Sequence, residues 1–170
     1  SMITEIKASG GEGDDNINIY DQAAGNNNNW NSHRSGIGNV LVEGGSGQDR
    51  ITVSGALNTS IKTGADSDTI VLTTQQYRTI EEGDRNLSVP YTSIEYTHAV
   101  NPITVEDFTV GSSGDIIDYG DLLRNGTLSY DGSNPFGGGF LNLEQSGGDT
   151  LIKFDKDGKA GSESEGITVA

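Results

Sequence analysis

A nine-residue pattern constrains this chain more than any other feature. Gly10-Gly-Glu-Gly-Asp-Asp-Asn-Ile-Asn18 recurs as Gly44-Gly-Ser-Gly-Gln-Asp-Arg-Ile-Thr52, with glycine at places one, two and four, aspartate at six and isoleucine at eight. A looser third copy, Thr63-Gly-Ala-Asp-Ser-Asp-Thr-Ile-Val71, opens on Thr63 and has Asp66 at the fourth place. Glycine reaches positive φ without penalty, so a run of it lets backbone carbonyls turn towards a common point. The sixth-place carboxylate adds a hard, charged oxygen, and calcium takes roughly six to eight oxygens. The isoleucine two places later (Ile17, Ile51, Ile70) is expected to start a short strand and point inward.

These copies resemble the calcium-binding nonapeptide of RTX (repeats-in-toxin) proteins. The resemblance implies an all-β fold: a right-handed parallel β-roll, two nonapeptides to a coil, with a C-terminal β-rich capping region. It also implies Ca2+ ligands at Gly10, Glu12, Asp14 and Asp15, at Gly44, Ser46, Gln48 and Asp49, and at Thr63, Ala65, Asp66 and Asp68. Spacing refines this. Gly44 and Thr63 are nineteen residues apart, one coil plus one residue. The half-coils between the motifs lack the ligand: Ser35 to Glu43 keeps Val42 but has Val40 at the aspartate place, and Ser54 to Lys62 keeps Gly55 and Ile61 but has Thr59 there. The aspartate turns therefore fall on one edge only, stacked in chain order and enclosing two sites, with Asp49 bordering both. The other edge is left to packing and ladder hydrogen bonds. Gly10 and Gly44 are thirty-four residues apart, and the surplus, residues 19–34 (IYDQAAGNNNNWNSHR), reads as a loop thrown out of the roll.

Charge narrows the partners. Twenty-five acidic residues against ten basic give −15 over 170 residues, which repels phosphate and anionic lipid, so neither nucleic acid nor membrane insertion is expected. With 25 glycines and 32% apolar residues, the chain either solvates itself or folds with the help of cations. There is no cysteine, so neither a disulfide framework nor a thiolate metal site can hold it.

After Val71 the repeat fades. Residues 72–101 alternate weakly (Leu87, Val89, Tyr91; Ile94, Tyr96), and Pro90 and Pro102 argue for strand starts or edges. The segment from Ile103 then resembles the one that follows the calcium repeats in RTX exoproteins secreted by type I systems. It carries Asp107-Phe108, a turn from Gly111 to Gly114, Asp115-Ile-Ile-Asp118 and Leu122-Leu123. Residues 140–170 are similar to the terminal hairpins of large bacterial adhesins, on Gly148-Asp149-Thr150 and Asp155-Lys-Asp157-Gly158. Asp155 and Asp157 form a secondary candidate for Ca2+, with Glu163 or Glu165 closing it; a plain turn with solvated acids is the simpler reading. The organisation expected is a roll over 1–71 with the inserted loop, and a secretion-associated cap over 72–170, together one continuous domain.

No catalytic constellation is legible. His33 and His98 lie in unrelated segments, no H-E-x-x-H helix, G-x-S-x-G elbow or phosphate loop occurs, and the abundant carboxylates sit largely in turn positions. The expectation is therefore a non-enzymatic, extracellular calcium module, monomeric, from a bacterial surface adhesin or exoprotein. Its partners would be calcium ions and the type I secretion machinery. The competing reading is a recognition module in which the asparagine-rich loop, with Trp30, His33 and Arg34, binds a cell-surface glycan or peptide. Loop length costs little, so deleting Asn26 to Asn29 should leave calcium-induced folding almost unchanged by circular dichroism. Loss of folding would place that stretch inside the coil.

Overall fold

The computed structural model describes residues 3–20, 37–80, 94–99, 102–127, 130–160 and 167–168. The asparagine run, Trp30, His33, Arg34, Leu87, Pro90, Glu163 and Glu165 lie outside the described residues. What is described is all-β in the main, with little helix.

The strands alternate between two four-stranded sheets. β1 (Ile3–Glu12), β3 (Ile37–Ser46), β5 (Ala56–Ala65) and β9 (Ile103–Val105) form one, in that order, and every neighbouring pair is parallel. The second has β2 (Asn16–Tyr20), β4 (Arg50–Ser54), β6 (Thr69–Val71) and β10 (Ile116–Asp118), also parallel throughout. The chain passes from a strand of the first sheet, through an aspartate turn, to a strand of the second. Register is continuous along the motif: Gly11 faces Gly45, which faces Gly64, and Ile17 faces Ile51, which faces Ile70. The aspartate turns thus stack on one edge in chain order. On the opposite edge the chain returns from β4 to β5 through Gly55 alone, at φ +86°.

The half-coils are unequal: β1, β3 and β5 have ten residues each, against five or three in β2, β4 and β6. The two equal short strands expected from a nonapeptide count are replaced because the ladder runs on through the glycines. A β-carbon on Gly45, at φ +116°, would collide with the Gly11 carbonyl, and only glycine allows rungs to stack this closely there. The loop of residues 19–34 also begins later than its composition suggests, since Ile19 and Tyr20 still pair with Val53 and Ser54.

Between the sheets lies a core of Val40, Val42, Ile51, Val53, Ile61 and Ile70, all buried. It does not end at Val71. Leu72 continues it, and the short helix α1 (Gly120–Gly126) brings Leu122 and Leu123 onto it, with Phe140, Leu141 and Phe154. The last two belong to the hairpin of β11 (Leu141–Ser146) and β12 (Asp149–Phe154), joined at Gly147-Gly148 and extended by β13 (Ile167–Thr168). One further antiparallel pair, β7 (Gln75–Ile80) with β8 (Ile94–Ala99), lies in the weakly alternating region. The other end of the stack is less covered: Ile6, Ile17 and Ile19 are only partly buried against the core. Among the described residues no helix is long and apolar enough to cross a membrane.

Candidate metal centre

Each aspartate turn is tied to the next by the sixth-place aspartate. The Asp15 N–H donates to Asp49 Oδ1 at 2.8 Å, the Asp49 N–H donates to Asp68 Oδ1 at 2.8 Å, and the Asp68 N–H donates to Asp115 Oδ1 at 3.0 Å. A return set runs the other way: the N–H groups of Arg50, Thr69 and Ile116 donate to the carbonyls of Asp15, Asp49 and Asp68. One carboxylate oxygen per rung is therefore spent on holding the coil together.

On Asp49 and Asp68 the other oxygen is not. Oδ2 of Asp15, Asp49 and Asp68 is buried without any hydrogen-bond partner. Asp49 and Asp68 are 1% and 0% exposed, while Asp15, on the outermost rung, is half-buried. Removing the partner of a buried charge costs about 3–5 kcal/mol. On the two fully buried carboxylates, Asp49 and Asp68, this is a large part of the whole stability of a small domain, about 5–15 kcal/mol.

The surroundings of these oxygens are specific. The point where a β-carbon on Gly10 would stand lies 2.5 Å from the Gly44 carbonyl oxygen and 2.7 Å from Asp15 Oδ2. The same point on Gly44 is 2.6 Å from Asp49 Oδ2 and closer still to the Thr63 carbonyl oxygen. Glycine at the first motif place thus leaves open a gap lined by a carboxylate oxygen of its own rung and a carbonyl oxygen of the next. Hard oxygens of these two kinds form calcium sites.

Burial lifts Asp68 above the ordinary carboxylate range; the Asp49 N–H pulls it back, and the charges of Asp115, Asp49 and Asp107 push the same way as burial. A carboxyl raised in the folded chain binds a proton more readily there than when unfolded, so this group removes stability as pH rises. The cation-free edge is burdened most at neutral pH.

The remaining candidates divide. Asp14 and Asp66 are exposed. Both reach the middle turn, where the Gln48 N–H donates to Asp14 Oδ1 at 2.7 Å and the Gly47 N–H to Asp66 Oδ2 at 3.2 Å. Asp66 holds φ +82°, alone among the described non-glycine residues in that region, as the fourth-place turn requires. Glu12, Ser46 and Ala65 share one register row, and the Ser46 carbonyl already accepts the Gly13 N–H at 2.7 Å. Asp155 and Asp157 make a turn: Asp155 Oδ1 accepts N–H groups from Asp157 and Gly158, at 3.1 and 3.2 Å, while Asp157 Oδ1 is buried without a partner. Burial, followed by the hydrogen bond with Asp157, raises Asp155. Among the described residues no three carboxylate or imidazole side chains converge as a ready-made metal cluster.

Sequence reasoning missed the fourth rung. Asp115 occupies the place of Asp68 one rung on, with Ile117 facing Ile70, and Asp107 Oδ1 and Oδ2 accept the N–H groups of Thr63 and Gly64 at 2.8 and 3.2 Å. The signal was present in Gly111 and Asp115-Ile-Ile117, the second, sixth and eighth motif places, but the other places had been lost. The chain matches no protein-family model, no curated protein and no solved structure.

Asp49 is the central carboxylate. Asp49→Ala deletes one unpartnered oxygen and also strands the Asp15 N–H, an orphaning worth about 1–3 kcal/mol. Asp15→Ala strands no described donor. Asp49→Ala should therefore raise the calcium midpoint for folding more than Asp15→Ala, read by circular dichroism. Equal or reversed shifts would mean that the ladder does not hold the edge.

Proposed function

We propose that this chain is a calcium-binding module: a parallel β-roll of the RTX kind, in which Ca2+ sits along the aspartate edge. The observation that carries the reading is the row of buried, unpartnered Oδ2 atoms on Asp15, Asp49 and Asp68, one per rung. The donor set fits. Asp15 with the Gly44 carbonyl, and Asp49 with the Thr63 carbonyl, are the groups that would hold an ion in the first two gaps. A bound cation supplies the positive charge that the oxygens lack. It converts a repulsive edge into the seam that closes each coil.

Its role is conditional folding. With −15 of charge and no disulfide to hold it, the chain stays unfolded and exportable where calcium is scarce. Where calcium is plentiful, binding free energy becomes folding free energy, because no site exists in the unfolded chain. Extracellular calcium modules work at about 10⁻⁴–10⁻³ M, the range such a switch needs. The setting that fits is a bacterial adhesin or exoprotein passed through a type I system to the cell surface or medium. This rests on the resemblance of residues 103–123 and of the terminal hairpin.

Circular dichroism tests the reading. In excess chelator the β-signal should be largely lost, calcium should restore it cooperatively, and magnesium should not. Magnesium demands near-octahedral geometry and keeps its water, which carbonyl-lined turns cannot replace. A native-like spectrum in chelator, or equal rescue by magnesium, would contradict the proposal.

A further inference from the structure

The first motif place decides what a gap between rungs can hold. Gly10, Gly44 and Thr63 occupy it on three successive rungs, in continuous register. The point where a β-carbon on Gly10 would stand is 2.5 Å from the Gly44 carbonyl oxygen and 2.7 Å from Asp15 Oδ2. On Gly44 it is 2.6 Å from Asp49 Oδ2 and nearer still to the Thr63 carbonyl oxygen. Calcium holds its oxygens at about 2.3–2.6 Å. A β-carbon at this place would therefore stand where the ion sits, and glycine is what leaves the gap open.

Thr63 breaks that condition on the third rung. It carries a β-carbon, is fully buried and faces the closing loop, where its Oγ1 lies 3.1 Å from both Asp107 Oδ1 and Asp115 Oδ2. The carboxylates of that loop are already used. Asp107 Oδ1 and Oδ2 accept the N–H groups of Thr63 and Gly64, while Asp115 Oδ1 and Oδ2 accept those of Asp68 and Thr109. β9 stops at Val105, opposite Ile61, so the ladder place across from Thr63 falls to Asp107. Protein donors close this gap, and a side chain stands in it.

We infer that Thr63 plugs the gap between the third rung and the closing loop, so that the row of edge ions ends at two, beside Asp15 and Asp49. The inference rests on the calcium reading and deepens it: the residue at the first motif place sets how many ions the roll takes. Thr63 serves the second gap through its carbonyl oxygen alone. Asp68 Oδ2 is left with neither a donor nor room for an ion. A buried carboxyl that no ion joins is neutralised by a proton instead, and burial does lift Asp68 above the ordinary carboxylate range.

Calcium counting on the full chain, by equilibrium dialysis, tests this. Asp15→Asn and Asp49→Asn should each lower the number of bound ions by one, whereas Asp68→Asn should leave it unchanged. Asparagine at 68 keeps the oxygen that accepts the Asp49 N–H, so the ladder persists. Gly10→Ala sets a β-carbon in the first gap and should cost one ion. Loss of an ion in Asp68→Asn, or folded Gly10→Ala with its number undiminished, would overturn the plug. Should Asp68→Asn fail to fold, an anomalous difference map of wild-type crystals grown in calcium takes its place. Ions beside Asp15 and Asp49 alone would support the plug, and an ion beside Asp68 Oδ2 would overturn it. Wild-type protein that binds no calcium, or an undiminished number in both Asp15→Asn and Asp49→Asn, would overturn the calcium reading on which the plug rests.

Discussion

The structure depends on a divided carboxylate. Asp49 and Asp68 each give one oxygen to the N–H of the counterpart on the preceding rung and keep the other buried and unspent. The first oxygen sets the pitch of the coil. The second makes that pitch untenable unless something positive joins it. Few residue types could fill the place. Asparagine would bring a neutral donor in place of the anionic oxygen, and glutamate would overreach by a methylene. Folding and cation demand are thereby written into one side chain.

Everything around that division serves stacking. Gly44 and Gly45 allow rungs to approach until carbonyls and carboxylates share the same space. Ile51, Ile61 and Ile70 fill the interior once the rungs are aligned, and α1 with Phe140, Leu141 and Phe154 closes one end. The two ends are unlike. At the closing end Asp115 is satisfied by the chain itself, while at the other Asp15 and Ile17 are only partly covered. The row of unspent oxygens runs between a sealed terminus and an open one.

Much of this was legible in the residues, because the motif is local. The glycine places, Asp15, Asp49 and Asp68, and the inward isoleucines follow from one turn and its strand, and the nineteen-residue offset places the turns on one edge. What was not legible depends on contacts between distant segments. Asp107 and Asp115 join the ladder across forty-four and forty-seven residues, with most of the motif lost around them. Asp14 and Asp66 both accept hydrogen bonds from the middle turn, which only the inter-rung register decides. The long strands β1, β3 and β5 escaped for a related reason. Glycine is poor in isolated strands, but here each is held by a parallel neighbour.

The central claim is that the unspent oxygens are cation ligands. A crystal structure from calcium-containing solution, with an anomalous difference map, puts it to the most direct test. The account predicts ions in the gaps between rungs, each within about 2.3–2.6 Å of Oδ2 of Asp15, Asp49 or Asp68 and bridged to the next rung by an oxygen of that rung. A folded coil in which those three oxygens meet only water or protein donors, with no ion beside them, would contradict it.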